Sequence, residues 1–146
     1  VVNDQVGSPT SARTIAEATL LLLAAASRGA TAGQAAADQA GYWRERGGTY
    51  HLCCSGETSW HGFAEQIFRI AKEQNPEAAV PLVHGIPTSG YPTPAVRPKN
   101  SRLDTSRLRE EFGLHLPRWQ DALAPCLEIL LGASSTARWP ATIRAA

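Results

Sequence analysis

The first residues with the chemistry to bind a ligand form a short polar loop near the start of the chain. The loop reads Gln5-Val6-Gly7-Ser8-Pro9-Thr10 and lies directly before a predicted helix. Free backbone N–H groups and the helix dipole favour an anion at such a helix start. Gly7 permits close approach, and the side chains of Gln5 and Thr10 offer hydrogen bonds. The loop therefore predicts an anion-binding segment, with plain turn and helix-cap chemistry as the alternative.

A second loop, Tyr91 to Ser101, is stiffened by proline and carries basic residues. It reads YPTPAVRPKNS, so that Arg97, Lys99 and Asn100 lie close together. An arginine side chain donates two parallel hydrogen bonds, which suits a diphosphate. Loops on a rigid scaffold often carry binding groups. The loop predicts a site for a phosphorylated ligand, and the alternative is a solvated basic loop.

The residues that several kinds of catalysis require are missing from the sequence. The four histidines show no metal-ligand spacing, and neither a GxSxG elbow, a GxxxxGK[ST] loop nor a glycine-rich dinucleotide turn occurs. Short-chain reductases pair a tyrosine with a lysine four residues later, so that the phenol can deliver a proton. At that spacing, Tyr42, Tyr50 and Tyr91 are followed by Arg46, Cys54 and Ala95. We therefore predict no catalytic, cofactor-binding or metal-binding residue in this chain.

Composition and charge exclude several classes of protein. The 146 residues are 43% hydrophobic and 18% charged, which predicts a folded core in one domain or in a piece of a larger one. A net charge of +1 gives no electrostatic reason to expect nucleic acid or an anionic membrane as partner. The apolar run from Ala18 to Ala26 is shorter than the roughly 20 residues that cross a bilayer. Three cysteines without a CxxC pair favour buried thiols in a reducing cytoplasm over a disulfide scaffold.

Hydrophobic patterning predicts short strands that alternate with helices, and hence an α/β fold. The predicted strands are Val1-Val2, 49–54 and 80–86. The predicted helices start after Thr10 or Ser11, after Thr58 or Ser59, after Asp104 or Thr105, and near Pro117. The first of them is expected to stop at Gly29 and the third at Gly113. Residues 1–132 are expected to form one domain, with an Ala-rich surface insertion at about 30–46 and a tail at 133–146. Because the sheet is thin and the chain begins at Val1 without any methionine, we expect a fragment or a processed chain whose apolar helix faces need a further layer.

Several segments of the sequence resemble one family. They are VVNDQVGSPTSARTIAEA, GTYHLCCSGETSWHGFAEQIF, YPTPAVRPKNSRLDTSRLREEFGLHLPRW and QDAL, in that order. Together they cover most of the chain outside the insertion and the tail. The combination of DQxGxPT, GxYHLxxSGxTSW and YPTPAxRPxNSxLDTxxL is similar to dTDP-4-dehydrorhamnose reductases.

The resemblance implies the carboxy-terminal part of an extended short-chain dehydrogenase/reductase. In that family an amino-terminal Rossmann domain binds NADPH or NADH and carries the catalytic Tyr and Lys, and a smaller domain holds the dTDP-sugar. The enzyme reduces the C4 keto group of dTDP-4-dehydro-L-rhamnose, and a homodimer is possible. On this basis we expect the matching residues to bind substrate, with Arg97 facing the diphosphate: Gln5, Val6, Gly7, Pro9, Thr10, Arg97, Pro98, Asn100 and Ser101.

The sequence also departs from the family, and other interpretations stay open. The Ala-rich stretch is longer than the family pattern leads us to expect. Some members are bridged by magnesium through acidic residues, but Arg13 stands where an acid would be needed, so no metal is predicted. One alternative is a non-catalytic, reductase-like regulatory module, and another is a sugar-nucleotide epimerase or dehydratase. A third is an isolated piece that exposes apolar surface and self-associates.

Overall fold

The computed structural model describes residues 1–27, 35–130 and 144–145. Helices and very short strands share this part of the chain, so the predicted α/β class is confirmed. The helices are α1 (Ala12–Ser27), α2 (Ala35–Arg46), α3 (Trp60–Gln74), α4 (Ser106–Phe112) and α5 (Trp119–Leu130). The strands are β1 (Val6–Gly7), β2 (Thr58–Ser59), β3 (Leu114–His115) and β4 (Arg144–Ala145), and a single 3-10 turn covers Thr88–Gly90.

The strands form two antiparallel pairs instead of one sheet. In the first pair, Val6 lies opposite Ser59 and Gly7 opposite Thr58. The second pair joins β3 to β4, so two residues of the predicted tail are paired with the body of the chain. The first pair fixes the polar loop at the start of the chain against the amino end of α3.

None of the three predicted strands forms a ladder among the described residues, and Val1-Val2 contributes only the isolated bridge of Val2 to Ile86. Residues 49–54 have no ladder partner among the described residues, and the following Ser55 makes only an isolated bridge to Arg118. Residues 80–86 reach a partner only at Ile86, which bridges to Val2 in parallel orientation. All three predictions were therefore wrong as strands. A β-type sequence becomes a strand only when a neighbouring strand takes up its backbone groups, and the described part of the chain offers none here.

Serine side chains cap the helices on both sides of the polar loop. The Ser11 hydroxyl accepts a hydrogen bond from the Thr14 N–H at 3.0 Å, at the start of α1. The Ser59 hydroxyl accepts from the Gly62 N–H at 3.1 Å, at the start of α3. Each cap satisfies a backbone donor that the helix itself leaves unpaired. Of the alternatives that the sequence left open, the second residue is the cap in both cases.

The core lies between α3 and α5, beneath the loops. Its buried members are Cys54, Ile70, Trp119, Ala122, Leu123 and Leu127, with Phe63, Ile67 and Ala124 packed against them. The rings of Phe63 and Trp119 meet edge to face with centroids 5.9 Å apart, a favoured arrangement for aromatic pairs. The Trp119 indole N–H also donates to the Glu57 carbonyl oxygen at 3.3 Å. The core thus supports the segment that leads into α3.

Within the predicted insertion, the structure describes α2 but not residues 28–34, so the predicted helix stop at Gly29 lies outside the described residues. Helix α2 packs on α4 through aromatic and charged contacts. The Trp43 and Phe112 ring centroids lie 6.4 Å apart, and the Arg46 guanidinium pairs with the Glu111 carboxylate at 3.1 Å. In the described part of the chain, no helix is long and apolar enough to cross a membrane.

Candidate functional site

The two loops singled out in the sequence meet at one groove. Its volume is about 410 Å³, within the range of roughly 300–1,000 Å³ typical of small-molecule sites. Three segments line it: the loop before α1, the start of α3 and the Pro-stiffened loop. The lining residues are Gln5, Val6, Gly7, Ser8, Pro9, Thr58, Ser59, Trp60, Phe63, Arg97, Pro98 and Ser101.

Backbone hydrogen bonds hold the two loops side by side. The Val6 N–H donates to the Lys99 carbonyl oxygen at 2.9 Å, and the Ser101 N–H donates to the Val6 carbonyl oxygen at 2.8 Å. A methyl group on Gly7 would lie 3.5 Å from the Ser101 Cβ, an ordinary van der Waals contact. The neighbouring protein atoms therefore do not require glycine at this position, which leaves close approach of a ligand as a reason for it.

Asp4 joins the loops to the 3-10 turn. Its Oδ1 accepts hydrogen bonds from the Thr88 N–H at 2.8 Å and the Thr88 hydroxyl at 2.6 Å, and its Oδ2 pairs with the Lys99 ammonium at 3.0 Å. The Gln5 amide donates to the same Thr88 hydroxyl oxygen at 3.1 Å. The hydroxyl of Thr88, followed by Lys99, lowers the pKa of Asp4 from 3.8 to about 2. The carboxylate is therefore ionised throughout the neutral range, and the network is charge-assisted.

The basic residues of the Pro-stiffened loop and of the segment after it differ in whether a carboxylate already neutralises their charge. Lys99 is paired with Asp4, and the Arg102 guanidinium donates to the Glu57 carboxylate at 2.9 Å. Arg97 is exposed and makes no ion pair or hydrogen bond within the described part of the chain. Arg97 is also the one of the three that lines the groove. As far as the described residues show, the groove therefore presents one uncompensated cation.

Two of the predicted binding residues lie outside the groove lining. The Thr10 hydroxyl accepts from the Cys54 N–H and donates to the Ser8 carbonyl oxygen, both at 3.0 Å. Asn100 bridges to Val6 through its backbone, and its side chain accepts from the Arg102 N–H at 3.1 Å. In this structure Thr10 fixes the loop to the core, and Asn100 shapes the turn after Arg97.

The sequence reasoning missed a third wall of the groove, which comes from β2 and the first turn of α3. Thr58, Ser59, Trp60 and Phe63 form this wall. The side chain of Trp60 is 60% exposed, whereas Trp119 in the core is 5% exposed. A tryptophan at a helix start directly after the polar SGETS run was the signal available in the sequence.

A larger cavity, of about 500 Å³, lies on another face of α3 between that helix and residues 80–83. The cations on its rim already have partners. Arg69 pairs with Glu73 at 3.2 Å, and the Lys72 ammonium donates to the Ala78 carbonyl oxygen at 3.1 Å. Neither predicted loop contributes to it, so volume alone does not make it the better candidate.

The described residues give little support to a nucleophilic thiol, a metal site or a dinucleotide-binding turn. Burial raises the pKa of the Cys53 and Cys54 thiols, which keeps both protonated and weakly nucleophilic at neutral pH. No group of three His, Cys, Asp or Glu side chains is gathered there to hold a metal ion. The turn before α1 has Ser8 and Pro9 where a dinucleotide fingerprint needs further glycines. This turn therefore lacks the glycine pattern of a dinucleotide fingerprint.

Comparisons with known proteins identify the family to which the chain belongs. The sequence profile described as "RmlD substrate binding domain" matches residues 1–131. The chain belongs to this family. Among curated relatives, the dTDP-4-dehydrorhamnose reductase of Burkholderia thailandensis is 42% identical over 135 residues, covering 90% of this chain and 41% of that protein. The Escherichia coli reductase is 39% identical over 120 residues, covering 82% of this chain and 35% of that protein.

Solved structures of full reductases contain the same fold as this RmlD-type substrate-binding domain. The crystal structure of a dTDP-4-dehydrorhamnose reductase from Clostridium acetobutylicum matches with a TM-score of 0.64 and 28% identity, over 90% of this chain and 38% of that one. The Bacillus anthracis reductase, solved in complex with NADP, matches with a TM-score of 0.59 and 26% identity, over 92% of this chain and 37% of that one. The chain thus spans between 35% and 41% of the length of these relatives.

Proposed function

We propose that this chain supplies the sugar-nucleotide-binding side of a dTDP-4-dehydrorhamnose reductase, which reduces dTDP-4-dehydro-L-rhamnose to dTDP-L-rhamnose with NADPH or NADH. The observation that carries the proposal is the groove where the two loops meet around the uncompensated cation Arg97. Membership of the substrate-binding family supports the same conclusion. A cytoplasmic location belongs to this proposal as well, because the thiols are free and the substrate is a biosynthetic nucleotide sugar.

In this proposal Arg97 donates paired hydrogen bonds to the diphosphate, since a guanidinium matches two phosphate oxygens better than an ammonium does. Gln5 and Ser101 lie on the walls of the same groove and offer further polar groups. Lys99 and Asp4 act behind the groove by fixing the loop that carries Arg97. Residues 1–132 would form the substrate domain, with 30–46 as a surface insertion and 133–146 as a tail.

Hydride transfer would depend on residues outside this chain. A reductase of this class needs a lysine beside the proton-donating tyrosine. The chain has two lysines, and in the structure Lys72 bonds to Ala78 while Lys99 pairs with Asp4. We therefore propose that the chain binds substrate and is inactive alone, and that the cofactor is held by another part of the enzyme.

The test is a calorimetric titration of the chain with dTDP-rhamnose, with NADPH as a parallel ligand. We expect dTDP-rhamnose to bind and NADPH not to bind. Arg97→Ala should weaken binding about 30-fold, because a hydrogen bond to a charged group contributes about 2 kcal/mol. Arg102→Ala, which removes the same charge from outside the groove lining, should leave the dissociation constant nearly unchanged. Equal dissociation constants for the unmodified chain and Arg97→Ala would contradict the proposed role.

A further inference from the structure

The proposed binding of a diphosphate by Arg97 does not account for one feature of the groove, the exposed indole of Trp60. Trp60 begins α3 and lines the groove together with Phe63, yet 60% of its surface is in contact with solvent. Among the described residues, no other aromatic ring packs against it: Phe63 turns to Trp119 instead, with ring centroids 5.9 Å apart. A large aromatic group left open in a concave site is typical of a contact surface for a ligand.

The backbone that carries Trp60 is held firmly on both sides. The Ser59 hydroxyl caps α3 through the Gly62 N–H, and the His61 N–H donates to the Val2 carbonyl oxygen at 2.9 Å. The His61 ring is also fixed, with its Nε2 3.2 Å from the Val83 carbonyl oxygen. These bonds fix the backbone at Trp60, and its indole lines the groove without another aromatic ring of the described residues against it.

The groove therefore combines two kinds of chemistry. Arg97 offers a positive charge that no described residue neutralises, and Trp60 offers a flat apolar surface. A ligand that uses both must carry an anionic group and a flat ring in one molecule. A nucleoside diphosphate has this composition, whereas pyrophosphate has only the anion. Base–aromatic stacking contributes enough to affect affinity measurably.

We propose that Trp60 is the platform on which the base of the bound nucleotide stacks, while Arg97 takes the diphosphate of the same molecule. This inference rests on the proposed function and adds to it the residue that distinguishes a nucleotide from a simple phosphate. Trp60 thereby becomes a specificity-determining residue. The hexose of a nucleotide sugar is attached to the far end of the diphosphate, so it would lie beyond Arg97 and away from the indole.

The experiment compares Trp60→Leu, Trp60→Phe and the unmodified chain in titrations with dTDP, dTDP-rhamnose and inorganic pyrophosphate. We expect Trp60→Leu to weaken dTDP and dTDP-rhamnose about tenfold each and to leave pyrophosphate unchanged, because leucine keeps apolar bulk but cannot stack. Trp60→Phe should retain most of the affinity.

Binding of dTDP should also quench the tryptophan fluorescence of the unmodified chain, and this quenching should be lost in Trp60→Phe. Trp43→Leu, on α2 and outside the groove lining, is the matched control and should bind all three ligands normally.

Other outcomes overturn the inference in distinguishable ways. Equal weakening of dTDP and pyrophosphate in Trp60→Leu would mean that Trp60 only shapes the loop around Arg97. Weakening of dTDP-rhamnose alone would mean that the indole contacts the hexose. If the unmodified chain binds dTDP-rhamnose but not dTDP, the base platform is wrong and the proposed function survives. If the unmodified chain binds none of the three ligands, the proposed function fails together with it.

Discussion

Asp4 is a residue whose charge matters for the groove although it is not part of the lining. Its carboxylate receives hydrogen bonds from the 3-10 turn and pairs with Lys99 in the Pro-stiffened loop. Three segments that are far apart in sequence are thereby held at one point. Because the folded-state pKa of Asp4 is about 2, below the ordinary value of 3.8, the ionised form stabilises the folded chain.

The pH dependence of stability should report this linkage. A depressed carboxyl pKa contributes stability that is fully present above about pH 4 and is lost as the pH falls toward 2. We expect Asp4→Asn to be less stable than the unmodified chain at pH 6, and this difference to shrink between pH 4 and pH 2. Urea unfolding at a series of pH values measures it. Glu77→Gln, at an exposed position after α3, is the control, and a difference for Asp4→Asn that stays constant with pH would refute the linkage.

At this scale the sequence placed the candidate residues in two loops but did not show how their side chains are paired. It identified Arg97 and Lys99 together as basic residues of one loop, because composition and spacing treat the two alike. The structure separates them, since Lys99 is neutralised by Asp4, 95 positions away in the chain, whereas Arg97 is not. Such a pairing depends on how the loops pack, and no local pattern contains that information. Trp60 was missed for the same reason.

Among the elements, the helix ends are the features that local sequence predicts well. Gly113 ends α4, as expected, and adopts the left-handed conformation with φ of 63° while its N–H donates to the Arg109 carbonyl oxygen. Left-handed backbone costs other residues roughly 1–2 kcal/mol. By contrast, Gly41 lies inside α2, and a Cβ there would meet no atom within 4 Å.

The same substitution at these two glycines should have opposite effects. We expect Gly113→Ala to lower the free energy of unfolding by about 1–2 kcal/mol, because alanine is strained at positive φ. Gly41→Ala should raise it by about 0.5–1 kcal/mol, because alanine favours the helix interior. Denaturant unfolding of both variants under one set of conditions serves as test and control together. Similar changes of the same sign would show that the cap at Gly113 does not limit stability.

Strands were predicted less well than helices, and the reason is physical. A helix satisfies its backbone groups within its own segment, so caps and spacing suffice to predict α3 and α5. A strand needs a neighbour, and the β-type run at 49–54 finds no ladder partner in the described part of the chain. Its residues still contribute to the structure, since Cys54 is buried in the core and its N–H bonds to Thr10.

At the scale of the whole molecule, apolar side chains lie on helix surfaces that no described residue covers, so they are exposed to solvent. On α1, Ala18 is fully buried, yet Leu20 and Leu23 on other sides of the helix are 66% and 53% exposed. A helix that is apolar on several sides is normally covered on more than one. Since the chain spans only 35–41% of the length of its relatives, we expect these side chains to lie where the rest of a reductase would pack.

Alone in solution, the chain should use this surface for self-association. We expect the sedimentation coefficient to rise with protein concentration, and the double substitution Leu20→Lys with Leu23→Lys to weaken association at least tenfold. Tenfold corresponds to about 1.4 kcal/mol, less than the roughly 1.5–3 kcal/mol for burying one leucine. A matched pair, Leu82→Lys with Val96→Lys, adds the same charge at exposed positions outside the helices and should change association little. If the unmodified chain sediments as a monomer at every concentration, the exposed leucines do not form a docking face. If both double variants weaken association equally, added charge accounts for the effect, and the location of the leucines does not.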